Sequence, residues 1–303
     1  MSRDSRKSHE DRYHTPEVTE HLLRSKFVPQ TFKIKITQPM CRVDGTERFP
    51  VVYVADSDYF FGGAANLATI LQGYGETPRF VLVGIGYENA GAAALLRLRD
   101  LLSHPIQKHF DDYAKRVAQS QFISDTHELD SLTKGTDAGD FLRFICEELM
   151  PLINSQYPVL AEDSNYFGYS AGGTFGLYTL FNRPNTFKRY VLGSPGTSLN
   201  GHHYGIDLAR AFVDSGKSLK AKVFMSVGEL EEFHRGLGHF ELTSGYYLMA
   251  KYLKQSAIPG LELTTRVFPG ETHATSWTLA FAHGWKELFG PVERVPYWPE
   301  SLK

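Results

Sequence analysis

The sequence predicts an α/β chain, with a mostly parallel central sheet and helices on both faces. Two observations predict it. Short, continuous apolar runs recur along the chain, as expected of central strands covered on both sides. Between them lie segments whose apolar residues fall three and four apart, and strands alternating with helices imply parallel pairing through right-handed crossovers. With 303 residues, 42% of them hydrophobic, the chain can bury one substantial core.

The elements follow in order. Residues 1–26 read as a polar N-terminal arm, charge-dense at its start, where Arg3, Arg6, Lys7 and Arg12 alternate with Asp4, Glu10 and Asp11. Residues 27–303 read as a single α/β domain. In residues 31–37, Phe32, Ile34 and Ile36 alternate with Lys33 and Lys35, the pattern of a half-exposed antiparallel strand. Residues 50–56 and 80–85 are continuous apolar strands, and 165–168, 189–193, 221–227 and 263–268 continue the series. Helical patterns occupy 66–73, 140–153, 171–181, 206–213, 243–255 and 275–289, and Pro151 is expected to kink or end the second of these. Residues 89–137 resist the scheme. They read as an insertion, either a lid that lines the pocket or an excursion packed on a sheet edge.

Composition narrows the function. The net charge is −2 and the pI near 6.6, so the clustered basic excess that nucleic acid requires is missing. No apolar run follows the early arginines and no segment approaches membrane-spanning length, so neither a signal peptide nor a membrane contact is expected. Cys41 and Cys146 stand far apart in no metal-ligand spacing, which fits a reducing compartment and places the protein in the cytoplasm by expectation. No metal or organic cofactor is called for. Homo-oligomerisation is left open.

The chemistry enters at Gly168-Tyr-Ser-Ala-Gly-Gly173, which contains Gly-x-Ser-x-Gly. An apolar strand enters it and a helical segment leaves it, the setting in which a serine on a cramped turn is exposed at a sheet edge. Ser170 is therefore the candidate nucleophile. The helix that follows would aim unpaired N–H groups and a partial positive charge at the reaction centre. The base belongs beyond the last strand. His273, in Phe268-Pro-Gly-Glu-Thr-His273, is the candidate among twelve histidines. The acid should close the strand at 221–227, where Gly228-Glu229-Leu230-Glu231-Glu232 offers three carboxylates, and spacing alone leaves Glu229 and Glu231 both open. Oxyanion donors are expected at the Ala171 N–H and in the turn at Ser57 and Asp58. Tyr169, Arg99, Ser194 and His234 are the candidate substrate-binding residues.

With these residues in view, the chain resembles the esterase branch of the α/β-hydrolases that includes siderophore esterases and esterase D-like enzymes. The likeness spans roughly 51–289. It rests on Val83-Gly-Ile-Gly-Tyr87, the helix around Phe141 to Ile153, the elbow with Leu177-Tyr and Asn182-Arg-Pro behind it, and Ser194-Pro195. The resemblance implies an acid three residues after a glycine, which falls on Glu231 counted from Gly228. It also implies that Arg99-Asp100 is a family pair that holds a loop or an acidic substrate group. Asp56-Ser57 stands where the family often has Asp-Gly, and Gly196 to Tyr204 lacks the aromatics the family often carries there.

The expected function is a serine hydrolase that cleaves a carboxylic ester or lactone, of natural-product or siderophore type, through an acyl-enzyme. An acyltransferase or thioesterase would use the same intermediate with a different final acceptor. A non-catalytic binding module of the same fold is the third reading, and an intact serine, histidine and acid set weighs against it.

Overall fold

The computed structural model describes residues 16–39, 46–121, 123, 125–234 and 236–290. In chain order the strands are β1 (Thr19–Arg24), β2 (Thr31–Thr37), β3 (Phe49–Val54), β4 (Val81–Tyr87), β5 (Val159–Tyr169), β6 (Arg189–Gly193), β7 (Ala221–Gly228) and β8 (Leu261–Phe268). The helices are α1 (Ser57–Gly73), α2 (Ala93–Asp100), α3 (His104–Gln107), α4 (Asp111–Ser120), α5 (Thr126–Thr133), α6 (Ala138–Phe144), α7 (Met150–Gln156), α8 (Ala171–Asn182), α9 (Tyr204–Asp214), α10 (Leu242–Ser256) and α11 (Ser276–Phe289). Residues 1–15 and Cys41 lie outside the described residues, and Cys146 is a free thiol.

One sheet runs in the order β1-β2-β4-β3-β5-β6-β7-β8. The pairs β1–β2 and β2–β4 are antiparallel, and every later pair is parallel. The sequence explains the change. Phe32, Ile34 and Ile36 of β2 are buried while Lys33 and Lys35 stay partly exposed, so one face of β2 meets the core. All seven residues of β4 are buried, as a parallel strand covered on both sides must be.

The two faces carry separate cores. On one, α1 and α11 bury Phe61, Phe80, Phe167, Phe281 and Trp285 against the sheet. On the other, Phe141 and Phe144 of α6, Phe175 and Leu177 of α8 and Met249 of α10 pack with β-strand residues such as Tyr53 and Tyr166. Burying such a side chain contributes about 1.5–3 kcal/mol.

Three expectations change. Residues 19–24 of the presumed arm form the edge strand β1, pairing Thr19 through Arg24 with Ile36 through Thr31. Helix α1 begins at Ser57, nine residues before the expected start. Pro151 does not end its helix: residues 138–156 stay helical. A wide turn at Ile145–Leu149, in which the Met150 N–H reaches the Ile145 carbonyl, precedes it and accommodates the missing proline N–H. The described residues of 89–137 include α2 to α5 and build a third apolar cluster with Leu199 and Tyr204 from beyond β6 and Phe240 from beyond β7. This segment thus packs over the loops that leave the carboxyl edge of the parallel strands.

Candidate active site

Parallel strands in one sheet deliver their carboxyl ends to one edge. Ser170 follows β5, Glu231 follows β7 and His273 follows β8, so residues far apart in sequence arrive at that edge together. Ser170 sits at φ 58°, ψ −121°, a strained conformation for a residue with a side chain. Its N–H bonds to the Gly193 carbonyl at 2.9 Å, and its carbonyl accepts the Thr174 N–H at 3.0 Å to begin α8. The strained turn is therefore fixed from both sides. Gly168 makes the turn possible: a Cβ there would lie 2.2 Å from the Gly172 carbonyl oxygen, a distance no side chain tolerates.

Glu231 is fully buried and makes a dense set of bonds. Its Oε1 accepts the Gly228 N–H at 2.6 Å, the Ser194 hydroxyl at 2.5 Å and the Ser276 hydroxyl at 2.7 Å. Its Oε2 lies 2.6 Å from His273 Nδ1. Burial pushes this carboxyl up, yet the hydrogen bond and charge of His273, with the two serine hydroxyls, outweigh burial and hold its pKa below the ordinary value. An ionised Glu231 requires the proton on His273 Nδ1, which leaves Nε2 as the lone-pair nitrogen of the neutral ring.

Tyr169 joins this pair to the elbow. It directly precedes Ser170, its ring centroid is 4.9 Å from that of His273, and its hydroxyl donates to the His273 carbonyl at 2.8 Å. Burial, with the Glu231 charge beside it, pushes the Tyr169 phenol far above its ordinary range, so it stays protonated. Glu229, the other candidate acid, faces elsewhere. Its carboxylate accepts the Gly270 N–H at 2.9 Å, and the Glu229 and Leu230 N–H groups bond to the Phe268 and Glu271 carbonyls. Glu229 thus helps tie the glutamate loop to the histidine loop.

Ala171 and Ser57 are the first residues of α8 and α1, positions whose N–H groups have no partner within the helix. Asp58 lies in the same first turn of α1. Its side chain accepts the Tyr87 N–H at 2.9 Å, and burial raises its pKa.

The four expected substrate-binding residues fall in different surroundings. Tyr169 and Ser194 are buried behind the Glu231–His273 pair and bond to it. Arg99 is buried too, with its Nε and Nη2 on Asp100 at 2.6 and 2.9 Å. Residues two apart on a helix point about 200° apart, and Arg97 takes the face toward the elbow, bonding Asp56 at 2.9 and 2.7 Å. His234 is exposed and accepts the Gly236 N–H within its own turn. Sequence reasoning missed Ser276 and Arg97. The first lay inside an assumed helix, and the second had helical phase as its one signal.

The family model described as "Putative esterase" matches residues 25–288. The chain belongs to this esterase family. Among individual relatives, the esterase is similar to the ferri-bacillibactin esterase BesA of Bacillus subtilis strain 168, 28% identical over 269 residues that cover 85% of this chain and 84% of that protein. Two solved structures share its fold. The BES protein of Bacillus cereus is 22% identical with a TM-score of 0.69, covering 91% of this chain and 95% of that one. The siderophore hydrolase EstB of Aspergillus nidulans is 20% identical with a TM-score of 0.71, covering 92% and 97%. The fold is that of the α/β-hydrolases. No described helix of the esterase is long and apolar enough to cross a membrane.

Proposed function

We propose that this esterase is a serine hydrolase that opens a carboxylic ester or lactone of siderophore type through an acyl-enzyme. The observation that carries the reading is a buried carboxylate 2.6 Å from His273 Nδ1, at the sheet edge where Ser170 occupies its strained turn. In this mechanism His273 Nε2 takes the Ser170 proton as Oγ adds to the ester carbonyl. The carbonyl oxygen becomes an oxyanion and is held by the Ala171 and Ser57 N–H groups, each of which is worth roughly 3–4 kcal/mol at such a position. Collapse expels the alkoxide, which takes the proton from His273 and departs as the alcohol. Water, deprotonated by the same nitrogen, then releases the acid and frees Ser170. Glu231 stays ionised and stabilises the imidazolium in both halves.

The siderophore class is supported by BesA, whose name gives ferri-bacillibactin as its ester. A reducing cytoplasm is the compartment this reading assigns, on the absence of paired cysteine spacing. The test is incubation with macrolactone and linear siderophore esters, read by mass spectrometry. Hydrolysed products from wild type and none from Ser170→Ala are expected. Turnover of simple aryl esters alone would overturn the substrate class, and turnover by Ser170→Ala would overturn the nucleophile.

A further inference from the structure

The ion pair between Arg97 and Asp56 has no part in the mechanism above, yet Asp56 directly precedes one expected oxyanion donor, Ser57, and its carboxylate lies near Gly172, the residue after the other. Asp56 precedes Ser57 and adopts the left-handed conformation (φ 54°, ψ 42°) at the start of α1. Its Oδ2 lies 3.3 Å from where a side chain on Gly172 would begin, and Gly172 follows Ala171. Asp56 thus adjoins Ser57 in sequence, makes no side-chain bond to the start of α1, and holds its carboxylate beside the first turn of α8. A carboxylate in that place draws on the same N-terminal field that the reaction needs for its own oxyanion. Its charge also repels the one that develops in the transition state.

Arg97 answers both problems. Its Nε and Nη2 grip Oδ1 and Oδ2 in the fork geometry a lysine cannot provide, and the pair is largely withdrawn from water, with side-chain exposures of 16% and 2%. The arginine comes from α2, inside the insertion at 89–137, and its guanidinium also lies 6.0 Å from the Tyr59 ring centroid on the first turn of α1. We propose that Arg97 supports the oxyanion hole electrostatically: it cancels the Asp56 charge beside Ser57 and Gly172. The insertion then contributes to the chemical step as well as to the shape of the pocket. This inference rests on the serine-hydrolase reading.

The test compares charge-unbalanced with charge-balanced variants on p-nitrophenyl acetate, a small neutral ester. Arg97→Gln leaves Asp56 unpaired, and kcat should fall roughly ten- to a hundredfold with KM within about twofold. The double variant Asp56→Asn/Arg97→Gln and the single variant Arg97→Lys restore the balance of charge, and both should keep kcat within about fivefold of wild type. If Arg97→Gln does not fold, the two balanced variants carry the test, because a purely geometric clamp would be broken in both. The proposal is overturned if Arg97→Gln matches wild type, if its loss appears in KM, or if the balanced variants lose more than about fiftyfold. Ser170→Ala is assayed alongside. Full turnover by that variant refutes the serine reading, whereas an inactive Ser170→Ala beside an unaffected Arg97→Gln refutes only the role of Arg97.

Discussion

Replacing Glu231 with glutamine removes one charge and keeps the shape of the side chain, and the geometry dictates how the amide must sit. The Gly228 N–H, 2.6 Å from Oε1, is backbone and cannot turn away, so the amide oxygen must take the Oε1 place. The amide NH2 then faces His273 Nδ1, where a donor already points. To accept from the amide, the imidazole must move its proton to Nε2, the nitrogen that should receive the Ser170 proton. A second loss adds to this. A carboxylate and an imidazolium with charge centres about 4 Å apart attract by about 4 kcal/mol at an effective dielectric constant of 20, which corresponds to about a thousandfold in rate. Glu231→Gln should therefore lower kcat/KM for p-nitrophenyl acetate by about a thousandfold or more, while Glu229→Gln, which loses a loop contact, should stay within about tenfold. Both are measured on protein shown to be folded by circular dichroism. A folded Glu231→Gln within tenfold of wild type, or a larger loss at Glu229, refutes the reasoning.

Further predictions follow from the same contacts. Ser194→Ala removes the 2.5 Å bond to Oε1 and should cost about 1–3 kcal/mol in urea unfolding; an unchanged midpoint contradicts the bond. Gly168→Ala drives a Cβ into the Gly172 carbonyl and should destabilise by about 1–3 kcal/mol or more; wild-type melting would show that the elbow can relax. Because folding lowers the Glu231 pKa, its contribution is complete above the unfolded carboxylate value, about 4.3, and is lost as pH falls through the lower folded value. Between pH 5 and pH 3 wild type should thus lose more thermal stability than Glu231→Gln. Equal losses would contradict the sign.

The parallel strands and most helices were legible because their apolar residues repeat with the period of the element. What escaped lacked that signal. In β1 every residue is exposed or partly exposed, so its sequence resembles the charged arm before it. The first turns of α1 read Ser57-Asp-Tyr-Phe-Phe-Gly-Gly63, and paired glycines argue against a helix that tertiary packing nonetheless enforces. At the site, the elbow and the histidine were legible because each stands at a defined place relative to a strand. Alternation could not separate Glu229 from Glu231, because the choice depends on a short turn at Glu231–Phe233 that curls one carboxylate inward. Tyr169 and Ser194 read as pocket residues in the sequence, and their burial behind the Glu231–His273 pair depends on β5, β6 and the start of α11 meeting in space. Sequence spacing does not encode that meeting.

The central claim is that Ser170 is the nucleophile, made reactive by His273. Its most direct test is to treat the protein with a fluorophosphonate and locate the adduct by peptide mapping in a mass spectrometer. A single phosphonyl group on Ser170, formed in step with loss of esterase activity and sharply slowed in His273→Ala, is the predicted result. Complete inactivation with the label on another residue, or labelling of Ser170 that leaves turnover intact, would contradict it.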